Sequence, residues 1–572
     1  MNNNHTTKAE TLMAGELFSR TYFVPLYQRE YAWGRDQIWQ LLDDLLEAFE
    51  SGKRSHYHLG SLTVFLRADT IGNRSYELID GQQRTITLAL LLRLLTESVP
   101  SINSSFRLSE RLRFENRPDA EAFLAAFDEH PVDPPFLPMA FRRAVDVMRD
   151  HPVFGEEKQA KLSEFAEFVR SHVVLFLVTM PSETDVSAYF EIMNNRGIQL
   201  EFHELLKAKL IAKLSDSTDK VLFDRLWTAC SNMDIRLADH LDEYTIGALE
   251  KHISWIQLRN ESVKIIEVPI DSSTTRSIIP DFPNFLLHVL RFYLKTIMSK
   301  EDTVSVPLDE RQMREVFDDQ LDTIVSEHFL DALIRTRLRF DRFVVKAIGG
   351  DNGNDITWKI VGKDGWSQQD KERLVHLQSM LQVSYPSRRH KEWLSLLLCK
   401  DDVEDAAGLI ILLEGFIRKW LQAYSSIDTL KCLGTATPPL ALNLIDYLMY
   451  CTNPEKYSNN ASFRFAYRNS VEHHFPQGSE NDTWTNEAVN DIGNLYLLAK
   501  SDNSALNVRS PKEKVALAGN LDNLPPKRRE MYQLTLDSNL GDWTPTVMWD
   551  HHSKKVLGLI EAFLNEPINS NV

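Results

Sequence analysis

The stretch YELIDGQQRTITLALLL, Tyr76 to Leu92, changes its hydrophobic period half-way along. Tyr76, Leu78 and Ile79 read as a strand, Asp80-Gly81 interrupts it, and Ile86, Leu88 and Leu91 open a helix-like apolar run. A strand that feeds a helix through a glycine turn aims unpaired backbone N–H groups, and the positive end of the helix dipole, at one point; such a point suits an anion. Gln82, Gln83 and Arg84 add side-chain donors there, and Asp80 can hold a divalent cation beside bound phosphates. The segment reads as a nucleotide-phosphate loop, and equally as a plain β-to-α turn with a solvated polar cap.

The first two hundred residues read as mixed α and β. From Arg35 the positions Ile38, Leu41, Leu42, Leu45, Leu46 and Phe49 recur at helical spacing, with Asp43, Asp44 and Glu47 on the other side. His58 to Leu66 and Val173 to Met180 read as short buried strands. In FEIMNNRGIQL, from Phe190, Gly197 stops a helix and displays Asn194, Asn195 and Arg196, either as a second polar wall of a nucleotide or DNA pocket or as a C-cap. Tyr27, Tyr31 and Trp33, interleaved with Gln28 and Arg29, fit base stacking or the sensing of a base modification; they fit a core equally.

From about Phe202 to Leu421 the pattern is helical and has no fixed repeat. Its exception is 341–362, where two β-like runs flank a Gly/Asp/Asn cluster, a hairpin signal and a candidate exposed finger. Near the C-terminus, FAYRNSVEHHFPQ carries Glu472, His473, His474 and Pro476; DIGNLYLLAKSDNSALN supplies a strand, Leu495 to Leu498, framed by Asn494 and Asn503; and Ser510-Pro511 starts a helix. Strand, strand, helix with a histidine and two asparagines is the outline of a ββα-metal nuclease. Such a site needs a neutral imidazole to take a proton from water, an amide carbonyl to fix its tautomer, and ligands for a hard cation.

Composition bounds these readings. A chain of 572 residues, 43% hydrophobic, exceeds one core, and the segmentation reads as 1–215, a helical connecting region 216–405, and 406–572. The 4 cysteines form no CxxC pair and read as reduced buried thiols. With no apolar run of spanning length and no signal-peptide pattern, a cytoplasmic location without membrane contact is expected. A net charge of -17 argues against coating nucleic acid by bulk electrostatics, though a local basic groove remains compatible with it.

Four ordered blocks, YQREYAWGRDQIWQLLDDL from Tyr27, HLGSLTVF from His58, ELIDGQQRTITL from Glu77 and FEIMNNRGIQLEFHELLKAKL from Phe190, resemble the N-terminal domain of GmrSD-type modification-dependent restriction endonucleases. That domain shares a superfamily with ParB partition proteins and sulfiredoxin. The C-terminal block resembles the family's HNH-type domain: a carboxylate-His-x-x-Pro, an IGNL block, then an Asn and a Lys. The resemblance implies a multidomain α+β protein: a ParB/sulfiredoxin-like N-terminal domain, a largely helical middle, and an HNH ββα-metal motif in a helical surround.

It also implies roles. Asp80, Gly81, Gln82, Gln83 and Arg84, with Gln28, Arg29, Asn194, Asn195 and Arg196, would bind a nucleoside triphosphate (ATP, GTP or CTP). His473 would be the general base, Asn494 its orienting amide, and Glu472 with Asn503 the ligands of Mg or Mn. His474 leaves the base ambiguous by one position, and Asn507 is an alternative ligand to Asn503. Lys512 and Lys514 would contact DNA phosphates or form a solvated helix face. The function implied is that of the fused, single-chain members: an antiviral endonuclease of the type IV class, in which nucleotide binding or hydrolysis governs metal-dependent cutting of modified double-stranded phage DNA, with a homodimer as one allowed assembly. The alternative is a non-catalytic, ParB-like regulator that binds DNA under nucleotide control.

Overall fold

The computed structural model describes residues 8–566 except 27, 29, 52–55, 69–73, 100–106, 116, 130–138, 156–160, 181–201, 252, 259–274, 277, 280, 300–305, 349–355, 425–426, 458–462, 478–482, 500–505 and 507. Two compact units emerge: Met1–Ala229 with Ile256–Pro269, and Cys230–Trp255 with Ile270–Val572.

The first unit is built on a sheet of β1 (Lys8–Met13), β2 (Tyr22–Val24), β3 (Tyr57–Ala68), β4 (Arg74–Asp80), β5 (Leu112–Phe114) and β6 (Val173–Met180), ordered β1-β6-β3-β4-β2-β5. The long β3 lies inside the sheet, parallel to β6 and antiparallel to β4, and β6 spans the residues its Val/Leu/Phe content marks out. Helices α1 (Arg35–Ser51), α2 (Gln82–Ser98), α3 (Met139–Arg149) and α4 (Leu162–His172) complete a core that runs from Leu12 to Leu177. α1 buries Ile38, Leu41, Leu42 and Leu45, as its spacing requires. α2 has no comparable polar face over its first four turns: Gln82, Gln83, Thr85 and Thr87 are buried along with the leucines. The two threonines tolerate this because their hydroxyls donate to carbonyls four residues back, Gly81 O at 3.0 Å and Gln83 O at 2.8 Å.

The second unit is mainly helical, with α5 (Ser326–Phe343), α6 (Gln368–Ser384), α7 (Ala406–Gln422) and α8 (Pro439–Thr452). The expected hairpin is present as β8 (Lys346–Ile348) and β9 (Thr357–Lys359), joined by β7 (Thr275–Arg276). α5 continues through Phe343, so the first strand begins after it, and the hairpin is anchored: Trp358 is buried and donates its indole N–H to Phe465 O at 2.7 Å. Beyond α8, β10 (Ser470–His473) and β11 (Leu495–Leu498) pair antiparallel, followed by α9 (Pro511–Ala516), α10 (Pro526–Leu536) and α11 (Lys554–Asn565). Ser510 caps α9 with Glu513 in a reciprocal capping box. All four cysteines are free thiols, and no helix among the described residues is long and apolar enough to cross a membrane.

Candidate functional sites

At the end of β4 the chain turns through Gly81, whose φ of 89° is the left-handed conformation that glycine adopts without strain, and Gly81 is the N-cap of α2. A side chain at Gly81 would strike Leu62 Cδ1 at 2.9 Å, so β3 closes over the turn. Arg84, one turn into α2, folds back across Gly60 of β3. A Cβ at Gly60, whose φ of 119° itself favours glycine, would displace the Arg84 guanidinium. The guanidinium donates to Leu59 O at 3.3 Å and lies 3.7 Å from Asp80 Oδ2, an oxygen buried without a hydrogen bond among the described residues. Asp80, Gly81 and Arg84 are thus gathered at one helix N-terminus.

The glutamines expected to display donors there are placed differently. Gln83 donates to Glu30 O at 3.1 Å and accepts from Ala32 N at 2.8 Å, while Gln28 donates to Ile79 O at 2.7 Å. Both amides are buried and spent on backbone, stitching segment 28–32 to β4 and α2. Gln82 is buried as well. Tyr31 takes the core alternative, its hydroxyl 2.8 Å from Thr87 Oγ1 and its ring edge-on to Phe141; Trp33 packs on the same core. Tyr27, Arg29, Asn194, Asn195 and Arg196 lie outside the described residues.

A further anchor has no local sequence signature. Arg117 donates to Leu26 O at 3.1 Å and Gln28 O at 2.5 Å, and stands 3.8 Å from Asp224, which also pairs with the buried Lys207. Lys207 belongs to the HELLKAKL run, so the motif's lysine is tied through Asp224 and Arg117 to the segment that Gln28 fastens to β4. Arg117 draws its partners from two segments, one far before it and one far after it in the chain, and only folding brings them together.

In the second unit β10 ends at the histidine pair. Pleating sends the two side chains to opposite sides. His474 points into the apolar cluster of Tyr496, Tyr532 and Trp543, fully buried, with Nε2 2.7 Å from Thr535 Oγ1 and its ring stacked on Tyr532. His473 instead meets Asn490, Nε2 to Oδ1 at 3.1 Å. The Asn490 amide is oriented by its own nitrogen, which donates to Asn486 O and Oδ1, both at 3.0 Å. Its Oδ1 can therefore only accept, which places the His473 proton on Nε2 and leaves Nδ1 with the lone pair. Burial holds the His473 pKa below its ordinary value, with Lys514 adding to the shift and the Asn490 bond opposing it.

Asn494, expected to orient the imidazole, is committed elsewhere. It accepts from Phe475 N at 2.8 Å and Trp543 Nε1 at 3.3 Å, and donates to Phe475 O at 3.0 Å and Val489 O at 2.8 Å. It clamps the chain leaving β10, and Asn490, absent from the IGNL block, holds the imidazole. Lys514 is fully buried, not on a DNA-facing surface: its ammonium donates to Glu472 Oε1 at 2.6 Å and His473 O at 2.5 Å. Burial raises the Glu472 carboxyl and lowers the Lys514 ammonium, each shift opposed by the partner. Lys512 is exposed and paired with Asp542.

Glu472, one of the two expected cation ligands, is held by Lys514; among the described residues no three His, Cys, Asp or Glu side chains gather as a metal site. Asn503 and Asn507 lie outside the described residues.

Comparison with known proteins joins the two ends of the chain. No individually curated protein matches it. The sequence model of the GmrSD restriction endonuclease N-terminal domain matches residues 14–211, the whole span from β1's end through the glycine turn to Lys207. That of the GmrSD restriction endonuclease C-terminal domain matches residues 437–554, from α8 through both histidines to the start of α11. With both domains present in order over more than half of its length, the chain belongs to the GmrSD restriction endonuclease family.

Proposed function

We propose that the protein is a DNA endonuclease of antiviral, type IV restriction, cutting or nicking modified double-stranded DNA at His473 under the control of a nucleoside triphosphate held at the Asp80–Arg84 turn. The observation that carries the reading is the placement of His473: its Nε2 lies 3.1 Å from the Asn490 amide oxygen, its burial favours the uncharged imidazole, and its strand's backbone is held by a buried ion pair. A fixed neutral imidazole is what a base needs in order to take a proton from attacking water. Support for DNA as substrate comes from the restriction-endonuclease domains at both ends.

Cleavage is proposed to require a divalent cation, Mg or Mn, which would offset charge on the scissile phosphate. Glu472 would have to leave its ion pair with Lys514 to ligate that ion. At the other site the proposed contacts are the backbone N–H groups that open α2, the Arg84 guanidinium and Asp80; Gln28 and Gln83 act as positioning residues. A cytoplasmic location and assembly as a homodimer belong to the same proposal.

The deciding measurement is loss of supercoiled plasmid, modified and plain, with Mg or Mn, with chelator, and with or without ATP, GTP or CTP. Binding without cutting under every condition would replace the nuclease by a nucleotide-switched DNA-binding regulator. Nucleotide is expected to change the nicking rate; a tenfold effect needs only about 1.4 kcal/mol of differential binding between two states.

Two further outcomes are expected. Arg84→Ala and Asp80→Ala each weaken nucleotide binding in calorimetric titration by about tenfold, through loss of a charge-assisted phosphate contact or of a carboxylate beside it; unchanged binding and turnover in both would make the glycine turn purely structural. Asn490→Ala lowers the nicking rate of a folded protein, whereas Asn494→Ala acts on stability, by about 3 kcal/mol, because it strands buried backbone and indole groups. Thermal melts beside rate assays separate the two, and equal rate losses without any change in melting would contradict the assignment.

A further inference from the structure

Residues 212–436 lie between the two matched stretches, and within the second unit they enclose a cleft of about 770 Å³, large enough for a small molecule. One face of α5 provides Arg335, Arg339 and Arg342, and the loop before α7 faces it with Asp401, Asp402 and Glu404. Cleft walls so rich in both charges are costly to bury and contribute nothing to a core.

Two arginines of α5 show what is unusual here. Arg337 is fully buried and fully employed: it donates to Cys230 O at 3.2 Å, Asn232 O at 2.8 Å and Ile235 O at 2.7 Å, and pairs with Asp341. Arg339 lines the cleft at 7% exposure and uses only Nη2, on Leu397 O at 3.1 Å and Val403 O at 3.0 Å. Its Nε and Nη1 have no hydrogen-bond partner among the described residues. Those two nitrogens carry three N–H groups; leaving them buried without an acceptor is expensive, and an acceptor supplied by a ligand in the cleft removes that cost.

Around this floor run three ion pairs, Arg335–Asp401, Arg342–Glu250 and Lys363–Glu404, each a quarter to two-fifths exposed. Exposed pairs of this kind contribute little net stability and can be exchanged for another anion. Arginine forks match phosphate oxygens. The carboxylates thus released, with Asp402, would repel a bare polyanion such as a DNA backbone, but they would accept hydrogen bonds from hydroxyl or amino groups next to a phosphate.

We propose that this cleft binds a small phosphorylated ligand with hydroxyl donors, a sugar phosphate or a mononucleotide, with Arg339 as its anchor and Arg335 and Arg342 completing the phosphate cradle. The site is independent of the Asp80–Arg84 turn, which belongs to the other unit.

The test is calorimetric titration of the full-length protein with inorganic phosphate, ribose 5-phosphate, AMP and GMP at millimolar concentration, in the wild type and in Arg84→Ala, Arg339→Lys and Arg342→Gln. Ribose 5-phosphate or a mononucleotide is expected to bind the wild type and Arg84→Ala equally, and Arg339→Lys and Arg342→Gln more weakly by about tenfold or more. A nucleotide that outbinds ribose 5-phosphate assigns the site to nucleotides, and equal affinities assign it to sugar phosphates. Circular dichroism reports folding, and if Arg339→Lys unfolds, Arg342→Gln at the exposed rim decides alone. The proposal is overturned by any of four results: no binding of the three organic phosphates, binding no tighter than inorganic phosphate, binding unchanged in the folded cleft variants, or binding lost in Arg84→Ala. Displacement of the bound ligand by duplex DNA would also overturn it, assigning the cleft to nucleic acid.

Discussion

Replacement of His473 by alanine is expected to abolish plasmid nicking while the fold and nucleotide binding persist. Among the described residues the side chain's polar contact is a single hydrogen bond to Asn490, so its removal strands little, whereas a general base contributes about a hundredfold or more to rate. The pH profile gives an independent check. Burial lowers the His473 pKa, so the imidazole stays neutral below the ordinary histidine value, and the acid limb of kcat/KM is expected below that value. As pH falls through the shifted pKa, Nδ1 is protonated and the rate drops; Asn490→Ala, which removes the bond favouring the charged form, should move that limb further toward acid. His474→Ala behaves differently, costing about 3 kcal/mol of stability because the ring fills a core site between Tyr532 and Trp543. Full nicking by folded His473→Ala protein would remove the residue from the chemistry. Loss confined to His474→Ala at matched folding would transfer the role by one position.

Period and punctuation made much of this legible in the sequence. The switch at Asp80-Gly81, the Val173–Met180 strand, the Leu495–Leu498 strand and the Ser510-Pro511 helix start all depend on neighbours a few residues away, and the structure has each of them there. Long-range partners were not legible. Nothing local distinguishes Asn490 from Asn494 as the amide facing His473, because the choice depends on how the 3-10 turn at Ile492–Asn494 carries one amide under Phe475 and leaves the other beside the imidazole. Gln28 and Gln83 look like displayed donors in sequence and are backbone ties in the fold, since an amide serves either purpose equally well. Lys514 illustrates the same limit: a lysine on a short capped helix reads as a solvent-facing cation until the carboxylate that buries it, 42 residues earlier, is known.

That pairing leads to the second large effect. Lys514 and Glu472 have side-chain exposures of 0% and 7%, and Lys514 also holds the carbonyl of His473. Lys514→Met removes one charge and leaves the other buried without its partner, a change expected to cost about 3–5 kcal/mol. For a unit of this size, that corresponds to a fall in melting temperature on the order of 10 °C. Glu472→Gln in the Lys514→Met background removes the stranded charge, and most of the lost stability should return although the pair itself is gone, since the penalty lies in the uncompensated ion and not in the absent attraction. Activity should not return with stability, because neither variant restores the ammonium that tethers the His473 carbonyl, and the imidazole is then free to leave its angle to Asn490. Thermal melts and nicking rates of the two single variants and the double variant form the cycle. A double variant as unstable as Lys514→Met would show that the lysine acts through packing alone, and one that regains both stability and nicking would show that His473 needs no hold on its backbone.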